Sequence, residues 1–118
     1  MYSPELLDHF EHPRNSGELA DATSRHRLEN PACGDILELA IRIVDDRVED
    51  LRFLAKGCVP AMACASAVTE LAKGKSVARA RAVSREDVIR AVGSLPSASG
   101  HAAQLAVDVL QAVLSEPG

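Results

Sequence analysis

A chain of 118 residues, 47% apolar but only 3% aromatic, holds one modest aliphatic core, so one domain over residues 1–118 is expected. A net charge of −4, with Lys and Arg scattered rather than striped, weighs against a nucleic-acid partner. No apolar run reaches the ~20 residues that span a bilayer, and Met1-Tyr2-Ser3-Pro4-Glu5 lacks a secretory signal pattern, so no membrane contact and a cytoplasmic setting are expected.

Ser3 is a natural N-cap, Pro4 suits the first helical position, and Leu6, Leu7 and Phe10 share a face, which predicts a helix over 3–10. The run His12-Pro13-Arg14-Asn15-Ser16-Gly17 ends it with turn chemistry. A polar stretch to Asn30 follows, with a short strand near 26–28. After a tight loop over 30–35, near-alternation predicts strands at 36–44 and 48–54, joined by Asp45-Asp46 as an antiparallel hairpin. Pro60 opens an Ala-rich helix to about residue 73, and Gly74 caps it. Ser76 and Ser84 read as N-caps of two further helices, with Glu86 and Asp87 favourable in the first turn of the second. A Gly/Ser/Pro loop over 93–100 leads into a last helix that begins at His101. This order predicts an α+β fold, a small antiparallel sheet against several helices.

The cysteines are Cys33, Cys58 and Cys64. An odd, small number without a signal argues against a disulfide framework, leaving ligands, nucleophiles or core residues. Cys33 and Asp35 precede the first long strand and Cys58 follows the second. In an antiparallel hairpin those ends are neighbours. His101 joins them if the last helix packs its start against that edge. Two thiolates, an imidazole and a carboxylate form a reasonable four-coordinate set for zinc, or a weakly holding one for an iron–sulfur cluster. Gly34 and Gly57 beside the cysteines permit unusual backbone angles and close approach of a ligand. Plainer readings stand beside these. Asp35 also suits a turn cap, and His101 reads equally as a polar contact at a helix start. Cys64, inside the Ala-rich helix, reads as a small core residue, and His9, His12 and His26 as surface or capping residues. A thiol enzyme with Cys58 as nucleophile would need a base and a substrate pocket. The sequence offers no separate candidate for either, so no enzyme activity is expected.

Several stretches together resemble one family. They are Tyr2-Ser3 through Asp8-His9-Phe10 with His12-Pro13-Arg14-Asn15 and Gly17; Pro31-Ala32-Cys33-Gly34-Asp35; Lys56-Gly57-Cys58; and Val68-Thr69-Glu70 with Lys73-Gly74-Lys75-Ser76. In combination they are similar, over essentially the full length, to the NifU N-terminal/IscU family of iron–sulfur cluster assembly scaffolds. The resemblance implies an α+β fold of about three strands with a site at one end. Such a site binds zinc or iron, accepts sulfur from a cysteine desulfurase, holds a transient [2Fe–2S] cluster and passes it to apo acceptor proteins. It maps the family's first cysteine onto Cys33, its Asp onto Asp35, its second cysteine onto Cys58 and its His onto His101. The family's third cysteine directly follows the His, where this chain has Ala102. That departure favours a rival expectation, a zinc-bound or apo paralogue that docks on the assembly machinery without building clusters. The motif Leu-Pro-Pro-Val-Lys, offered by some scaffolds to an Hsp70-type chaperone, is reduced to Leu95-Pro96-Ser97-Ala98-Ser99, which weighs against chaperone-assisted release by that route.

Overall fold

A computed structural model describes residues 2–30 and 34–115. Strands β2 (Asp35–Val44) and β3 (Arg47–Lys56) form the antiparallel hairpin that alternation predicts. Asp45 and Asp46 close it with left-handed φ of 51° and 62°, as a two-residue type I′ turn requires. The polar stretch ahead of it carries β1 (Ser24–Asn30), longer than the strand expected near 26–28, and the sheet order is β1-β2-β3. Leu37, Leu39, Ile41, Leu51 and Phe53 turn inward and are buried.

Two helices cover that inner face. Helix α2 (Val59–Ala72) lies on β3, and α5 (Gly100–Ser115) lies on β1 and β2. Ala61, Ala63, Cys64, Ala65, Ala67 and Val68 of α2 are all buried, and their small side chains let the helix sit close to its neighbours. Helix α1 (Pro4–Glu11) packs on α2, while α3 (Val77–Arg81) and α4 (Arg85–Ala91) fill the connection to α5. The serine caps act as expected. Ser3 Oγ accepts from the Leu6 N–H at 3.0 Å, Ser76 Oγ from the Arg79 N–H at 3.2 Å, and Ser84 forms a capping box with Asp87. Among the described residues, three antiparallel strands and five α-helices make this an α+β fold.

The chain after α1 acts as a brace. The Gly17 N–H donates to Phe53 O and the Phe53 N–H to Asn15 O, both at 2.9 Å, so residues 15–17 cover part of the outer edge of β3. Asn15 reaches across to α2, donating from Nδ2 to Thr69 Oγ1 at 3.2 Å and accepting from Lys73 Nζ at 3.2 Å. At the start of β3 the same edge is covered by the turn after α2, through Val48 N–H to Lys75 O and Gly74 N–H to Val48 O, each 2.8 Å.

His9 is not the surface or capping residue the sequence suggests. It is 4% exposed, between α1 and α2. His9 lies three residues after Leu6 and shares its buried face, whereas Leu7, expected on the apolar face, is 39% exposed. Ser66 Oγ accepts the Arg14 N–H at 2.9 Å and shares a hydrogen bond with His9 Nδ1 at 2.8 Å. His9 Nε2 faces Glu70 at 3.6 Å. Burial pushes the His9 pKa below its ordinary value, helped by Arg14 and opposed by Glu70 and Asp8. The unfolded state therefore binds a proton more readily than the folded one. This contribution to stability is present above the ordinary histidine pKa and is lost as pH falls from about 6.5 toward the lower folded value. Denaturation midpoints should fall between pH 6.5 and 5 in the parent protein and fall less in His9→Gln. Parallel slopes in the two proteins would refute a neutral, buried His9.

Candidate metal centre

Pairing of Ile36 with Lys56 places Asp35 at the start of β2 beside Gly57, one residue beyond the end of β3. Cys58 follows in extended conformation as the N-cap of α2, with Pro60 in that helix's first turn. Hairpin register and helix start thus aim the carboxylate and the thiol at one another. Asp35 is 1% exposed, and Oδ1 accepts the Cys58 N–H at 3.0 Å while the Cys58 thiol donates to Oδ2 at 3.5 Å. The first turn of α5 brings His101 from the far end of the chain, with Nε2 3.4 Å from Asp35 Oδ2 and its side chain 30% exposed. The three donor atoms lie within 4.8 Å of one another.

Gly57 makes this arrangement possible. Its φ is +152°, and a Cβ there would run into the Asp35 carboxylate, 2.8 Å from Cγ and 3.0 Å from the Asp35 Cα.

Burial pushes the Cys58 thiol pKa up, and the Asp35 charge and hydrogen bond push it further, against the Ala61 N–H. With no cation present the thiol therefore keeps its proton. A divalent cation would replace that proton and compensate thiolate and carboxylate together. Carboxylate oxygen, thiolate sulfur and imidazole nitrogen are all good zinc or ferrous ligands, so the donor set fits a metal.

Of the four residues expected to converge, the structure therefore brings together Asp35, Cys58 and His101. Cys33 lies outside the described residues. Cys64 is fully buried in α2, and burial pushes its thiol up to about 12, so it behaves as a core hydrophobe. Ala102 is 2% exposed and contributes no donor atom. One neighbour of the site had no sequence signal. Arg85 of α4 lines a cavity shared with His101, yet in the sequence it looks like any charge in a helix's first turn.

The family model of the NifU-like N terminal domain matches residues 1–116. The chain belongs to the NifU-like N-terminal domain family. Among its relatives, iron-sulfur cluster assembly scaffold protein IscU 1 of Archaeoglobus fulgidus is 41% identical over 111 residues, covering 94% of this chain and 72% of that protein. The Escherichia coli (strain K12) protein named iron-sulfur cluster assembly scaffold protein IscU is 36% identical over 119 aligned positions, 98% of this chain and 92% of its own. A putative scaffold protein for the SUF system of Fervidobacterium islandicum AW-1 superposes with a TM-score of 0.80 over 97% of this chain and 96% of that one. At 18% identity that likeness establishes the fold.

The stretches similar to this family fall in two places. Asp35, Gly57 and Cys58 build the donor cluster. His9, Arg14 and Asn15 meet Thr69, Glu70 and Lys73 across the brace between α1 and α2. The second group sits at the far end of α2 from Cys58, which opens that helix, and it ties α1 and the brace to α2.

Proposed function

We propose that this protein is a scaffold in iron–sulfur cluster assembly, holding iron or a transient [2Fe–2S] cluster as cargo at Asp35, Cys58 and His101, with Cys33 as a further thiolate. The observation that carries the reading is the convergence of a thiol and an imidazole on a buried carboxylate, in a chain 41% identical to a protein named as such a scaffold. Zn2+ suits the same donors. Asp35 is the exchangeable ligand: a carboxylate is the hardest donor of the set, and the Cys58 N–H gives it a partner whether or not it touches the cargo. The protein carries rather than converts its cargo, so it is not an enzyme in its own right. A cysteine desulfurase supplies sulfur, apo iron–sulfur proteins are the acceptors, and the setting is cytoplasmic.

Anaerobic reconstitution with ferrous iron, cysteine, a desulfurase and a thiol reductant that brings the delivered sulfur to sulfide tests this. A visible-region [2Fe–2S] absorption that moves to an apo acceptor is the expected result. One observation favours a second reading, a zinc-bound or apo module that docks on the machinery without building clusters: buried Ala102 stands where the family has a thiol. Stoichiometric zinc with no cluster spectrum after reconstitution would select that reading and overturn the first.

A further inference from the structure

A cavity of about 460 Å³ opens beside His101, between the end of β1, the start of α4 and the first turns of α5. That volume lies in the range of small-molecule sites. Leu28 and Leu105 give it apolar wall, Glu29 and Asp108 acidic groups, and Arg85 its cation. Asp108 accepts from Gln104 Nε2 at 2.8 Å along the exposed side of α5. Arg85 is exposed, and no described residue offers it a hydrogen bond or an ion pair. Its guanidinium lies over Gly100, where a Cβ would stand 2.5 Å from Nη2. Gly100 has an ordinary helical φ of −58°, and a Cβ added there would push the end of the flexible Arg85 side chain aside. One cation, two acids and a metal-capable imidazole meet there, and the neighbouring Ala102 supplies no thiol.

We propose that this cavity binds a free aminothiol acid of the cysteine class, as an exchangeable external ligand to the metal centre. Its carboxylate pairs with Arg85, its ammonium with Asp108, and its thiolate reaches the metal beside His101. A soft thiolate is a strong donor for zinc or iron, so it adds a ligand beside His101, the residue that the cavity and the donor cluster share. The proposal rests on the metal-site reading above and adds a ligand to it.

The test uses the full chain loaded with Co2+, whose binding is first measured by equilibrium dialysis. Titration with L-cysteine should add a saturable thiolate-to-cobalt charge-transfer band, and native mass spectrometry should find protein, cobalt and cysteine in one complex. Arg85→Ala should raise the half-saturating concentration about tenfold, the usual scale for a lost hydrogen bond to a charged group. Gly100→Ala, which keeps the charge but displaces it, should raise it less. Cysteamine, lacking the carboxylate, should bind parent and Arg85→Ala alike, and serine should add no band. Equal binding of cysteine and cysteamine, or cysteine binding indifferent to Arg85→Ala, overturns the recognition proposed. Cobalt that stays bound with no saturable band, or is stripped to apo protein, overturns the ligand while leaving the metal site standing. Failure of cobalt to bind in dialysis overturns the metal-site reading and this proposal with it.

Discussion

Replacing Cys58 with Ser is expected to lower zinc affinity by at least about 100-fold, measured by competition with a chromophoric chelator. Loss of an outer-shell partner alone costs metal sites roughly 10–100-fold, and here a ligand itself is removed. Serine keeps the backbone N–H that serves Asp35, and it fits the N-cap position, where the Cys58 side chain makes no capping hydrogen bond. Stability should therefore hold or rise slightly while metal binding collapses, which separates ligation from folding. Cys64→Ser supplies the control. That thiol is fully buried within α2, so its replacement should leave zinc affinity unchanged. Burying a hydroxyl there should cost about 1–3 kcal/mol, toward the lower end if the hydroxyl bonds back to a carbonyl one turn earlier. Equal loss of zinc from both variants would mean that Cys64 is a ligand and that its burial has been misread.

Gly57→Ala is expected to damage the site without touching any donor. An added Cβ meets the Asp35 carboxylate and the Asp35 backbone, and φ of +152° is strained for any L side chain. The backbone contact at 3.0 Å is the decisive one, because a carboxylate can swing away and a strand cannot. About 1–3 kcal/mol of stability should be lost to the strained conformation. Zinc affinity should fall at least about tenfold as Asp35 leaves the cluster and the Cys58 N–H loses its acceptor. Chemical denaturation of the apo protein reads the first effect and chelator competition the second. Gly34→Ala is the comparison. Gly34 has φ of +73° but no atom within reach of a new Cβ, so it should show backbone strain with a smaller change in affinity. If Gly57→Ala binds zinc as the parent does, the close approach of Gly57 and Asp35 has no bearing on the site.

Much of this protein was legible locally. Two alternating runs joined by Asp45-Asp46 determine the hairpin, because a two-residue turn with both φ positive pairs the strands in one register. That register then brings Asp35 and Cys58 together by geometry alone. Ser3, Ser76 and Ser84 start their helices because a short hydroxyl satisfies amide groups that no residue inside the helix can. Cys64 is core because it sits among the alanines of a helix that is buried along most of its length.

Other features had no local cause. His101 meets Asp35 only because α5 packs across β1 and β2 with its first turn at the donor end of the sheet, a decision made by the whole core. His9 is buried because Ser66, Arg14 and Glu70 converge on it from α2 and the brace, and none of them is near it in a helical repeat. Arg85 lines the cavity beside His101 because α4 packs against α5, far from it in the sequence. Periodicity and caps are read within a few residues, since they reflect backbone hydrogen bonds and side-chain direction. Contacts between distant segments depend on how every packed surface fits at once, so the donors could be named from the sequence, whereas their meeting place was decided by the tertiary structure.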